Sequence, residues 1–146
     1  MFNRISELAS DNKFDKDTKL KHILDYITVA LQITQSSVLF VDKTTVVSGD
    51  GYHCNIDDEC LDIFANLTSN DTLFIPSGLF NIAKHKKLNQ FLVDNKIITF
   101  MISKVAFNKK TFGYIVLFED KITRIWQEKE AAVCLYLNKI IEILYK

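Results

Sequence analysis

Two apolar runs late in the chain, residues 97–107 and 111–118, are rich in β-branched and aromatic side chains, and only Asn108-Lys109-Lys110 separates them. A polar turn this short joins antiparallel neighbours, because a parallel crossover needs a dozen or more residues. The chain is thereby committed to an antiparallel sheet. Ser37-Val38-Leu39-Phe40-Val41-Asp42 is apolar at its inner positions, as a central strand covered on both faces requires. Thr45-Val46-Val47-Ser48 follows across Lys43-Thr44 and ends at Gly49-Asp50-Gly51, which completes a first hairpin. Thr72-Leu73-Phe74-Ile75 adds a strand that stops at Pro76-Ser77-Gly78.

The remaining segments have helical periodicity. Phe2, Ile5, Leu8 and Ala9 mark a short leading helix that Asp11-Asn12-Lys13 interrupts. From Asp17 onward Leu20, Ile23, Leu24, Ile27, Ala30 and Leu31 form one face of a helix of about four turns. Asn55 is placed to cap a helix with Asp57, Asp58 and Glu59 in its first turn and Ile56, Cys60, Leu61, Phe64 and Leu67 as its buried stripe. Residues 79–95 read as one or two short helices holding Leu88, Phe91 and Leu92. The longest helix covers about residues 124–146, with Trp126, Val133, Leu137, Ile140 and Leu144 on a three-four repeat and Glu130 at the remaining seam position. Helices thus cluster around an antiparallel sheet instead of alternating with parallel strands. The fold class is α+β, in three layers, with helices on both sheet faces and the terminal helices packed together.

At 146 residues, with one proline, four glycines and no linker-like stretch, the chain reads as a single domain: a leading helix and connector over residues 1–16 and a core over 17–146. Eighteen Lys and Arg balance eighteen Asp and Glu, which leaves no net field for general binding of nucleic acid or an anionic membrane. Charges interrupt every apolar run well short of a bilayer span, and the start lacks the order of a secretion signal. The expected setting is the reduced cytoplasm.

No residue pattern points to catalysis: there is no nucleophile elbow, paired-carboxylate signature or glycine-rich nucleotide loop, and the expectation is a non-enzyme. His53, Cys54 and Cys60 with Asp57 or Asp58 offer nitrogen, sulfur and oxygen donors, but their spacing is not a zinc signature, so no metal site is expected. Cys54 reads as an ordinary thiol, Cys60 as a small buried hydrophobe, and Cys134, with Glu130 and Asn138 four residues to either side, as a flank position. Lys84-His85-Lys86-Lys87 is the one dense basic cluster and lacks a phosphate loop.

The order of elements, together with Ser37-Val38-Leu39-Phe40-Val41-Asp42, Lys96-Ile97-Ile98-Thr99-Phe100-Met101-Ile102-Ser103 and Thr111-Phe112-Gly113-Tyr114-Ile115-Val116-Leu117-Phe118, resembles a GAF domain. GAF domains are small-molecule sensor modules of bacterial signalling proteins and cyclic-nucleotide phosphodiesterases. The resemblance runs from about Asp17 to Leu144, with Gly113 at the family's strand glycine and Trp126-Gln127-Glu128-Lys129-Glu130 resembling the entry to its last helix. The cyclic-nucleotide motif is represented only by Lys121, with Trp126 and Glu130-Ala131 near its other positions, so that ligand is disfavoured. What remains of the motif is an expected Lys121 to Glu130 ion pair. The family's bilin-binding members attach the chromophore through a cysteine commonly followed by histidine, whereas the order here is His53-Cys54. The cysteines also lack the glycine-rich surroundings of the family's methionine sulfoxide reductases.

The resemblance implies a non-catalytic sensory or regulatory domain with a pocket between sheet and short helices, to which Tyr52, Asp57, Phe64, Ser77, Phe91 and Ser103 contribute. It implies no cofactor. The basic cluster and the acidic turn Asp57-Asp58-Glu59 at the same rim suit a zwitterionic small molecule. A homodimer through the terminal helices and fusion to a signalling output domain are the expected partnerships. The alternative is a dimerisation module with a vestigial pocket, whose interface would include Leu137 and Ile140.

Overall fold

A computed structural model describes residues 1–42, 45–48, 58–69, 72–75, 86–121 and 124–146, and of 45–47, 58–60 and 74 the backbone alone. The elements are α1 (Phe2–Ala9), α2 (Lys16–Ala30), β1 (Gln35–Phe40), β2 (Thr45–Ser48), α3 (Asp58–Leu67), β3 (Leu73–Phe74), α4 (Lys86–Asp94), β4 (Thr99–Phe107), β5 (Lys110–Glu119) and α5 (Glu128–Tyr145). The strands form one five-stranded antiparallel sheet in the order β2-β1-β5-β4-β3.

Helix ends follow local chemistry. Asp15 caps α2 by accepting from the Thr18 N–H at 2.8 Å, and hydrogen bonds from the Thr18 side chain and then from its backbone hold the carboxyl below the ordinary carboxylate value. At α5 the side chains of Gln127 and Glu130 form a reciprocal capping box. The helix therefore starts at Glu128, four residues later than its periodicity suggests, because residues 124–127 serve as its anchor and cap.

The β4–β5 turn is tight. Asn108 and Lys109 both have left-handed backbone, with φ of 51° and 65°, the geometry that matches the twist of a two-residue hairpin. β1 begins at Gln35 and ends at Phe40, two residues earlier at each end than hydropathy predicts. Its first three residues are polar yet buried, and the serines show how such groups are accommodated. Ser36 Oγ reaches Leu24 O at 2.9 Å and lies 2.9 Å from Thr28 Oγ1, while Ser37 Oγ lies 2.7 Å from Ser48 Oγ.

Side chains alternate across the strands and sort into two apolar clusters. Val38, Phe40, Met101, Val105, Ile115 and Leu117 join Ile5 of α1, the Leu20, Ile23, Leu24 and Ile27 stripe of α2, and Val133, Leu137, Ile140 and Ile141 of α5. Leu39, Phe100, Ile102, Tyr114, Val116 and Phe118 join Phe64 of α3 and Leu88, Phe91 and Leu92 of α4. Gly113 lies opposite Phe40 in the β1–β5 register, and a Cβ there would meet Leu39 O at 2.3 Å, so the close approach of these strands requires glycine.

The long helix departs from expectation at two residues. Cys134 is fully buried, not flanking, because α5 turns both Val133 and Cys134 inward and the polar residues around it are themselves engaged. Glu130 is paired with Arg124, not with the exposed Lys121, because Arg124 lies beside the helix start and reaches it at 2.9 Å.

Candidate functional site

The second cluster carries the candidate site. Phe64 is turned inward from α3 and Phe91 from α4, and their rings meet edge to face with centroids 6.0 Å apart. Phe64 also contacts the Tyr114 ring of β5 at 5.8 Å, and Phe91 contacts the Phe118 ring at 6.3 Å. These geometries suit aromatic quadrupoles and form a wall of rings across the middle of the sheet.

Polar groups lie at one side of this wall. Burial, with the charge of Asp62 adding to it, raises the Tyr114 pKa, so the phenol stays a neutral donor and acceptor. Lys104 Nζ donates to Thr68 O at 3.3 Å, and Thr68 Oγ1 bonds back to Phe64 O at 2.8 Å, which closes the C-terminal end of α3. The rings are buried against one another, and the polar groups beside them are one phenol and one ammonium.

Of the residues expected at the pocket, Phe64 and Phe91 are brought together. Tyr52, Asp57 and Ser77 lie outside the described residues. Ser103 shares the parity of Met101 and Val105, so it is on the opposite side of the sheet from the two phenylalanines. Asn138 Nδ2 of α5 reaches Ser103 Oγ at 3.4 Å and Lys104 O at 3.1 Å. Period-two alternation through Phe100, Ile102 and Lys104 selects Lys104 for the aromatic face, and the same rule applied to β5 selects Tyr114.

Among the described residues no group of three or more His, Cys, Asp or Glu side chains is placed to hold a metal ion. His53, Cys54 and Asp57 lie outside those residues, as do the side chains of Asp58 and Cys60 and all of Lys84 and His85. Lys86 and Lys87 are exposed at the start of α4. Leu137 and Ile140 are buried inside the chain, which removes them from any interface between chains. No helix among the described residues is long and apolar enough to cross a membrane.

No protein-family model matches the chain. No curated protein matches it in sequence. Solved structures do match in shape. The far-red absorbing dark state of JSC1_58120g3 with bound biliverdin IXα is 13% identical, with a TM-score of 0.70 over 99% of each chain. The GAF domain from Acinetobacter phosphoenolpyruvate-protein phosphotransferase is 14% identical, with a TM-score of 0.63 over 97% of this chain and 90% of that one. The blue-light absorbing form of the Thermosynechococcus elongatus PixJ GAF domain is 15% identical, with a TM-score of 0.61 over 88% of this chain and 84% of that one. Identities this low speak to architecture alone, and the architecture agrees over nearly the whole chain: this protein has the GAF fold.

Proposed function

We propose that the chain is a non-catalytic sensory or regulatory domain that takes a small ligand on the sheet face lined by Phe64, Phe91 and Tyr114 and passes its occupancy to the terminal helices. The observation that carries this reading is the pair of adjacent residues on β4 that serve opposite sides of the sheet. Ile102 belongs to the aromatic cluster, while Ser103 meets Asn138 of α5. A ligand that shifts β4 changes the seat of α5, and its differential affinity for two helix arrangements is the signal. In this reading helices cover both sheet faces, α1, α2 and α5 form one packed group, and Tyr52, Asp57 and Ser77 complete the pocket with Phe64 and Phe91.

A zwitterionic metabolite suits the basic cluster at Lys84-His85-Lys86-Lys87 and the acidic turn at Asp57-Asp58-Glu59. A covalently attached bilin is disfavoured, since His53 precedes Cys54 instead of following it. The domain would work in the cytoplasm, fused or docked to an output domain. Mass spectrometry of the purified protein, native and then denatured, tests the reading together with a thermal-shift panel of amino acids. A released small molecule, or a rise in melting temperature that Phe91→Leu abolishes, supports it. An empty protein that no member of the panel stabilises counts against it.

A second reading, a dimerisation module with a vestigial pocket, draws on Leu135 and Ile143 of α5, which are 53% and 74% exposed. A Leu135→Glu and Ile143→Glu double variant with half the solution mass of the parent would favour it.

A further inference from the structure

The β4–β5 ladder shifts register at one step. Val105 pairs with Gly113 and Ala106 with Thr111, so Phe112 has no partner on β4. An extra residue of this kind is a β-bulge, which re-aims a side chain by interrupting the alternation of the strand. Tyr114, Val116 and Phe118 belong to the aromatic cluster, and unbroken alternation would send Phe112 to the same side. The bulge turns it to the other side, where it packs against the cluster shared by α2 and α5. There its ring meets Phe40 of β1 at 5.4 Å, Phe107 of β4 at 4.8 Å and Tyr145 of α5 at 5.8 Å, and Tyr145 also meets Phe40 at 5.0 Å.

The end of α5 depends on these rings. Its buried residues stop at Ile141, and none of residues 142–146 is buried. In this last turn Ile143 is exposed, while Leu144 and Tyr145 reach the core as half-buried side chains. Tyr145 has a second attachment at the surface. Its hydroxyl donates to Asp17 Oδ1 at 2.6 Å, and Lys16 Nζ lies 5.0 Å from the centre of its ring. Burial, then the Asp17 hydrogen bond and the charges of Asp17 and Asp15, raise the Tyr145 pKa, so the phenol keeps the proton it donates. One side chain thus joins the last turn of α5 to the first turn of α2 and to the bulge in β5. Lys16 and Asp17 are both exposed, and a terminal turn held by half-buried rings and surface groups opens at a small fraction of the cost of unfolding the domain.

We propose that Tyr145 is a latch for the end of α5. Closed, its ring lies on Phe40 and Phe112 and its hydroxyl holds Asp17. Open, residues 142–146 leave the sheet and uncover the two phenylalanines, while the rest of α5 stays seated on Val133, Leu137, Ile140 and Ile141. The sheet sets the latch from beneath: Phe40 adjoins Leu39 and Phe112 lies two residues from Tyr114, both of which face the aromatic side, so a shift of β1 against β5 alters the seat of Tyr145. The latch requires no ligand and stands or falls separately from the sensory reading.

Hydrogen exchange of the full chain, followed by mass spectrometry from subsecond times, tests it. Tyr145→Phe keeps the ring and removes the bond to Asp17, and exchange over residues 142–146 should rise about fivefold, the worth of one net hydrogen bond, with residues 128–137 unchanged. Asp17→Ala should speed exchange in the same turn, and the double variant should exchange no faster than the faster single one, because both changes remove the same bond. Phe112→Leu, which takes the ring from the bulge, should free the same turn. Tyr145 and Asp17 are not core positions, and urea denaturation confirms that their variants stay folded. Unchanged exchange in Tyr145→Phe, a double variant whose rise is the product of the single ones, a rise spread evenly over all of α5, or a Phe112→Leu variant whose last turn exchanges as in the parent would each overturn the latch.

Discussion

Arg124 Nη2 donates to Glu130 Oε1 at 2.9 Å, and the same guanidinium reaches Leu31 O at 2.8 Å and Gln32 O at 3.1 Å. Its Nη1 also lies 3.7 Å from Glu119 Oε2. One side chain thereby ties the end of α2, the end of β5 and the start of α5, with the Trp126 ring beside it at 5.4 Å. The carboxylates it serves are 5% and 2% exposed. Arg124→Ala leaves both buried without their counter-charge, at a cost of about 3 kcal/mol. Urea denaturation measures this. Arg124→Lys should recover less than half, since a compact ammonium cannot address two carbonyls and two carboxylates together. An unchanged midpoint in the alanine variant would refute the clamp.

Acid should act through Glu130. Burial pushes its pKa up, but the hydrogen bond from Arg124, the bonds from the backbone N–H groups of Glu130 and Gln127, and the Arg124 charge outweigh burial and leave it below its ordinary value of 4.5. A carboxyl depressed in the folded state contributes stability that is present above its unfolded pKa and is lost as pH falls through the folded one. The parent should therefore lose stability below about pH 4.5, and Glu130→Gln should lack that part of the loss. Parallel acid curves for the two proteins would be the contrary result.

Gly113→Ala places a methyl 2.3 Å from Leu39 O, a backbone atom that cannot step aside without parting β1 from β5. The expected destabilisation is about 2–3 kcal/mol, the scale of overpacking a tight interior. Thermal unfolding reads it directly, and a shift no larger than that of an exposed substitution would show that the sheet gives way locally.

Cys134 should resist thiol reagents in the native protein. Burial, with the Glu130 charge adding to it, pushes its thiol up to about 12, and its Sγ lies 3.8 Å from Met101 Sδ inside the core. Peptide mapping after a brief alkylation at neutral pH should find Cys134 unmodified until denaturant is added. Modification of Cys134 in the folded protein would mean that α5 opens readily.

Leu137→Glu together with Ile140→Glu should abolish folding instead of producing a soluble monomer, because the two side chains are 0% and 6% exposed within the chain's own core. Far-ultraviolet circular dichroism and sedimentation distinguish the two results.

Periodicity located α1 at its observed bounds and β2 as well, since both are short segments with one clear pattern and an adjacent interruption. Hydropathy misplaced the start of β1, because Gln35 and Ser36 are buried there and a hydropathy count scores them as polar. Polar neighbours misled the reading of Cys134 in the same way: Glu130 and Asn138 look like a solvated flank in one dimension, yet Arg124 and the β4 backbone satisfy them inside. The partner of Glu130 was not legible in local spacing, since it depends on the path of the segment before α5. At the candidate site Phe64 and Phe91 were legible as apolar positions on helices. Ser103 was chosen by segment, and only strand parity reveals that it belongs with α5.

The strand order also governs how the molecule meets its own kind. The two longest strands, β4 with nine residues and β5 with ten, are both interior, while the sheet ends in β2 with four and β3 with two. Of the two, β5 has partners on both backbone rims, β1 over residues 113–118 and β4 along its length, while among the described residues β4 meets β3 only at Ile102 and Ser103. Topology alone thus shields β5, the longest aromatic and β-branched strand, from intermolecular strand addition at high concentration.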